Sequence, residues 1–149
     1  MIQNDIENIL SLKPTHISTY SLTVHENTVF YINGITEPSE DFARAMYDYV
    51  HKTLLNNGYV HYEISNFSLP GYESKHNFTY WKNEEYYAVG LGASGYEKKV
   101  RYRNTRNLNK YLEKNYEREE EIVSIKDKKE YEIMLNLRTN VGLDLTKYK

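Results

Sequence analysis

Between Pro38 and Ser65 the sequence writes a helix and then a strand with almost nothing between them, an order that narrows the fold more than any other feature of the chain. Pro38-Ser39 opens the helix. Ser39 is a capping residue, and Glu40 and Asp41 suit the positive end of the helix dipole. Phe42, Ala45, Met46, Tyr49, Val50 and Leu54 recur at helical spacing as the stripe to be buried, and Gly58 after Asn57 stops the helix. Val60, Tyr62 and Ile64 then alternate with His61, Glu63 and Ser65, which predicts a strand with two distinct faces. A helix feeding a strand in this way reads as an α/β fold with parallel pairing.

The flanking segments extend the pattern. Ile2, Ile6, Ile9 and Leu10 share one helical face, and the β-branched run HISTYSLTV after Pro14 predicts a strand. Beyond the Pro70-Gly71 turn, Tyr86 to Val89 reads as a short strand entering a glycine-rich turn, and Val100 to Arg103 alternates again. Asn107 to Asn115 predicts a short helix with Leu108, Tyr111 and Leu112 inward. Glu117 to Glu121 is a charge run expected to be a solvated connection. Ser124 and Asp127 have capping-box spacing ahead of a last helix whose apolar side carries Tyr131, Met134 and Leu135. One helix and a lone strand at the start, and a turn at Gly142 near the end, lead to the expectation of a segment from something larger.

Composition closes several routes. The 149 residues are 40% hydrophobic and 27% charged, which fits an ordinary globular domain rather than a disordered chain. A formal charge of −2 gives no general attraction to nucleic acid or to an anionic membrane. No apolar run approaches the roughly 20 residues of a spanning helix. With no cysteine, the chain has neither disulfides nor thiolate metal ligands, and the expected location is cytoplasmic. Tyrosine outnumbers phenylalanine sixteen to four, which places many half-polar rings where a rim or cleft would use them.

Three groups carry candidate chemistry. Gly90-Leu91-Gly92-Ala93-Ser94-Gly95 follows a strand in the spacing of a dinucleotide-binding turn, but a polar turn and another strand follow where a helix is required, so that reading fails. Two readings stay open: a tight turn that needs glycine, or backbone brought close to a ligand. His76 and Tyr80 are four residues apart, so in a helical turn they share a face, with Asn77 and Trp81 beside it. Imidazole and phenolate both ligate haem iron and an indole can stack on a porphyrin; a hydrogen-bonded histidine and a packed tryptophan are the ordinary alternative. Lys99, Arg101 and Arg103 share one strand face with Arg106 nearby, which is either a carboxylate clamp or a solvated edge strand. Glu63 is a lone candidate for acid–base work.

Longer stretches resemble a known family. His16-Ile17-Ser18-Thr19-Tyr20-Ser21-Leu22-Thr23 with Glu26 and Thr28, then Gly58-Tyr59, His61-Tyr62-Glu63-Ile64-Ser65-Asn66-Phe67, Pro70-Gly71, Ser74 and His76-Asn77 with Tyr80-Trp81 follow its order. Gly90 to Ser94, Arg101 to Asn107 and Leu137-Arg138-Thr139 continue the match. The chain is similar to the oxygen-independent coproporphyrinogen III oxidase-like radical SAM proteins, and HNxxYW at His76 to Trp81 looks like its haem-chaperone branch.

The resemblance implies an α/β fold comprising the last strand of a partial (β/α)6 TIM-like barrel with added strands, followed by the start of a helical C-terminal domain. Residues 1–105 would be the barrel end with its sheet extension, and 106–149 the beginning of the C-terminal domain. It also implies S-adenosylmethionine and a 4Fe–4S cluster in a full-length parent, with the cluster's cysteines outside this chain. Tyr20 and Thr23, with Gly92 and Ala93, match the S-adenosylmethionine wall; His76, supported by Tyr80 and Trp81, is the candidate for haem and its iron. Implied partners are haem or porphyrin and haem-accepting apoproteins. The implied function is a haem chaperone, the chain alone being catalytically inactive; anaerobic oxidative decarboxylation of coproporphyrinogen III and a non-catalytic interaction module are the alternatives.

Overall fold

The computed structural model describes residues 2–148, in two compact units, Met1–Glu73 and Ser74–Lys149. The first unit contains α1 (Ile2–Ser11), β1 (His16–Ser18), α2 (Val29–Ile32), α3 (Glu40–Asn56), β2 (Val60–Glu63) and β3 (Asn66–Ser68). The second contains α4 (Lys75–Trp81), β4 (Ser94–Glu97), β5 (Val100–Asn104), α5 (Leu108–Leu112), β6 (Arg118–Ile122), α6 (Ile125–Asn136) and a 3-10 turn at Leu145–Tyr148. The mixed α/β class is as expected. Among the described residues no helix is long and apolar enough to cross a membrane.

In the first unit the sheet order is β1-β3-β2, and both pairings are antiparallel. This corrects the expected parallel pairing, and the reason is visible in the register. β1 and β2 run in the same direction, as the intervening helix predicts, but the hairpin through Ile64 and Ser65 folds β3 back between them. Phe67 lies opposite both Ile17 and His61, and it joins Ile6, Ile17, Val50, Leu54 and Tyr59 in the core. Ile2, Ile9 and Leu10 of α1 pack against that cluster. α3 starts as its sequence dictates, with the Ser39 side chain accepting from Phe42 N–H. Only the later part of its predicted stripe is buried: Val50 and Leu54 are inside, whereas Phe42 and Ala45 are exposed.

β1 is shorter than the predicted HISTYSLTV strand. Thr19 N–H still reaches Ser65 O at 2.8 Å, but Ser65 lies in the hairpin turn, so residues beyond Thr19 have no strand to pair with. The other face of this sheet is polar. Tyr62, Glu63, Asn66 and Ser68 are buried, with Tyr62 OH 2.7 Å from His16 Nε2. Asn66 Nδ2 donates to Glu63 Oε1, and Ser18 Oγ donates to Asn66 Oδ1.

The second sheet has the order β4-β5-β6, again antiparallel. The expected solvated connection at Glu117 to Glu121 is therefore a strand from Arg118 onward, and β5 is the middle strand rather than an edge. Arg101 faces Glu121 and Arg103 faces Glu119 across the ladder, so opposite charges meet on neighbouring strands. β6 keeps an acidic row, exposed along its length, at the sheet edge, which discourages a second acidic edge from adding to it. The predicted strand at Tyr86 to Val89 reduces to one bridge, Tyr86 with Tyr96. Leu108 and Leu112, expected inward, are exposed on a five-residue helix. α6 opens with the predicted capping box, Ser124 and Asp127 each bonding the other's backbone.

Candidate functional site

Helix α4 forms where the sequence places HNxxYW. The Ser74 side chain caps it by accepting from Asn77 N–H at 3.2 Å, and one helical turn then brings His76 and Tyr80 together. Tyr80 OH lies 2.6 Å from His76 Nε2, with ring centres 4.7 Å apart. Tyr80 also stands edge-on to Tyr86, at 4.5 Å and 90°. Tyr86 is held by paired backbone hydrogen bonds to Tyr96 of β4 at 2.8 and 2.9 Å. Burial pushes the Tyr86 phenol above its usual range, and the Arg101 guanidinium opposes that shift. His76 is exposed; Tyr80 and Trp81 are half-buried. The Arg138 guanidinium lies 5.9 Å from the Trp81 ring.

Just beyond the helix, buried Asn83 takes a left-handed conformation, φ 55°, and its amide serves two elements. Its Oδ1 accepts from Arg101 Nη2 at 2.5 Å, and its Nδ2 donates to Lys128 O at 3.3 Å. Arg101 lies between the Tyr96 and Tyr131 rings, 4.6 and 4.3 Å from their centroids. Of the two readings of this strand face, a carboxylate clamp or a solvated edge strand, the second gives way for Arg101 to this internal role on a middle strand. Its guanidinium is enclosed by two rings and an amide, and Glu121 lies across the ladder. Neither Tyr86, Asn83 nor the internal role of Arg101 was drawn from the sequence, because each depends on residues far apart in the chain. Tyr86 had one local signal, an aromatic residue at the start of the run entering the glycine turn.

The glycine turn is tied to the end of β5. Gly92 N–H donates to Thr105 O, Asn104 N–H to Ala93 O, and Asn104 Nδ2 to Gly90 O, all at 2.8–2.9 Å. Gly92 has φ +68°, so the backbone conformation requires glycine there, whereas a side chain would meet only ordinary contact with Arg106. The close approach belongs to Gly95, where an added Cβ would run into the Tyr102 ring. A hollow of about 200 Å³ beside the turn is lined by Val89, Gly90, Asn104, Tyr111 and Tyr116, among others.

The remaining candidates lie in the first unit. Tyr20 is 76% exposed and Thr23 is exposed. Tyr20 contributes to an apolar cavity of about 460 Å³ with Met46, Tyr47, Val50 and Phe67. Glu63 is buried, bonded by the Asn66 amide, as a member of the polar sheet face. The structure thus brings His76 and Tyr80 into contact and sets Trp81 on the same helix. It puts Gly92 and Ala93 in one turn and Tyr20 and Thr23 in one segment.

Among the described residues no group of three or more histidine, aspartate or glutamate side chains could hold a metal ion by itself. Haem needs only one or two axial ligands from protein, and an imidazole–phenol pair on a half-exposed aromatic helix fits that demand. A 4Fe–4S cluster does not fit: thiolates hold such clusters, and the chain has none.

No protein-family profile matches the chain. The fold is similar to part of one solved structure. Coproporphyrinogen III oxidase (HemN) from Escherichia coli, described as a radical SAM enzyme, superimposes with a TM-score of 0.74 over 95% of this chain and 37% of that one, at 15% identity. The sequence is similar to proteins named heme chaperone HemW. The relative from Lactococcus lactis subsp. lactis (strain IL1403) is 45% identical over 158 residues, covering 100% of this chain and 41% of the relative. That from Bacillus subtilis (strain 168) is 35% identical over 156 residues, covering 99% and 41%. The resemblance drawn from the sequence therefore holds along the whole chain, which spans about two fifths of the length of these relatives.

Proposed function

We propose that this chain handles haem, as part of a HemW-like haem chaperone, and that the contact is made by α4 through His76, Tyr80 and Trp81. The single observation that carries this reading is the His76–Tyr80 pair, two iron-ligating side chain types joined at 2.6 Å on one helical face. Similarity to proteins named heme chaperone HemW supports it. Residues 1–105 would correspond to the end of a radical SAM barrel with its sheet extension and 106–149 to the start of a C-terminal domain. In that parent, Tyr20, Thr23, Gly92 and Ala93 would line the S-adenosylmethionine wall. The chain's contribution is to bind and orient the tetrapyrrole, and a haem-accepting apoprotein would take it on.

The oxidase alternative rests on a fold likeness at 15% identity, which speaks for fold alone. The test is a spectrophotometric titration of haem into the 149-residue chain. We expect a saturable Soret shift that His76→Ala weakens or alters; a variant with unchanged spectrum and affinity would remove His76 from the site.

A further inference from the structure

Within that site the two side chains are not equivalent, and we infer that Tyr80 is the iron ligand, selective for ferric haem, with His76 as its positioning partner. The inference rests on the haem reading above. Three observations carry it. The imidazole nitrogen that most readily reaches a metal, Nε2, is already committed to the Tyr80 hydroxyl at 2.6 Å. Tyr80 is half-buried and braced edge-on by Tyr86, itself fixed to β4, whereas His76 is exposed. The ligand atom on a preorganised ring is therefore the phenol oxygen. Third, the segment that Tyr86 anchors continues into Tyr87 and Val89, 78% and 90% exposed, large apolar groups available to a flat macrocycle.

The chemistry balances without a further reactant. A free phenol holds its proton at neutral pH, so binding through oxygen requires that the proton leave. Tyr80 OH and His76 Nε2 share one hydrogen bond at 2.6 Å. Binding through that oxygen would break the O–H bond and leave its electron pair on oxygen, and Nε2 at 2.6 Å would accept the proton. The phenolate is a hard anionic donor and prefers iron(III) to softer or less charged centres. His76 would take up that proton and hold the donor oxygen in place, the orienting part that hydrogen-bond partners of metal ligands play.

The experiment compares the 149-residue chain with Tyr80→Phe and His76→Ala, titrating each with ferric haem and with zinc protoporphyrin. Resonance Raman spectra of the ferric complexes supply a readout independent of affinity. Tyrosinate ring modes should appear in the unsubstituted chain, persist in His76→Ala, and vanish in Tyr80→Phe. Ferric haem should bind Tyr80→Phe at least roughly 10-fold more weakly, no less than the cost of losing a hydrogen-bond partner of a metal ligand, while zinc protoporphyrin binds both alike. A variant that misfolds would lose both ligands, so the zinc arm separates misfolding from loss of the ligand. Tyr80→Phe keeping the ferric spectrum and affinity while His76→Ala changes both would overturn the assignment. Haem bound without tyrosinate modes defeats this inference alone; an unsubstituted chain that takes up no haem defeats the haem reading with it.

Discussion

Asn83 accepts a hydrogen bond from the Arg101 guanidinium at 2.5 Å, and that contact ties the end of the HNxxYW helix to the middle strand of its sheet. Arg101 also lies between the Tyr96 and Tyr131 rings, so one cation holds β4, β5, α6 and the segment after α4 together. Replacing it removes two cation–π contacts and strands a buried amide oxygen. We expect Arg101→Ala to lower the stability of the second unit by about 2–3 kcal/mol, read by denaturant unfolding. A loss below about 0.5 kcal/mol, the range of an ordinary surface change, would show that the guanidinium is not holding this unit.

Gly95 has the opposite problem, too little room. An added Cβ meets the Tyr102 ring, whose hydroxyl receives a hydrogen bond from Ala88 N–H at 3.0 Å, so the ring cannot swing away freely. Gly95→Ala should cost about 1–3 kcal/mol, while Gly95→Ala combined with Tyr102→Ala should show less than the sum of the two losses. Simple additivity would place the strain elsewhere.

The capping box of α6 gives a pH-dependent term. Hydrogen bonds from Ser124, side chain and then backbone, hold the Asp127 carboxyl below its usual range. A lowered carboxylate value means stability that is complete above the ordinary carboxylate range and is lost as pH falls through the lowered one. Ser124→Ala should therefore cost about 1 kcal/mol of helix stability at neutral pH. The gap to the unsubstituted chain should narrow in acid as Asp127 protonates in both, the part due to Ser124 Oγ accepting from Asp127 N–H remaining; a gap independent of pH would exclude the carboxyl from the effect.

Ser68 is fully buried, and its Oγ has no hydrogen-bond partner. Burying an unpaired hydroxyl is unfavourable, so Ser68→Ala should leave thermal stability unchanged or raise it by up to about 1 kcal/mol. A clear destabilisation would mean that the hydroxyl is bonded in solution.

What the sequence could convey was local. The Ser39 cap, the end of α3 near Gly58 and the Ser124–Asp127 box depend on neighbours within a few positions, and each stands where the sequence placed it. His76 and Tyr80 were legible for the same reason, one helical turn apart. Pairings across the chain were not. β3 inserts between β1 and β2 because Phe67 completes the core against Ile17, which no periodicity in 60–68 announces. The run Arg118–Ile122 becomes a strand because Arg101 and Arg103 lie opposite its glutamates, a partnership invisible from within the run. Tyr86 and Asn83, which brace the candidate site, depend on Tyr96, Arg101 and Lys128, which lie farther along the chain.

The most direct measurement adds substoichiometric ferric haem to the isotopically labelled chain and follows amide resonances as the paramagnetic iron broadens them. Broadening that begins at Lys75–Trp81 and spreads to Tyr86 and its neighbours is the expected result. Broadening confined to the first unit, around Tyr20, Met46 and Phe67, with α4 untouched, would contradict it.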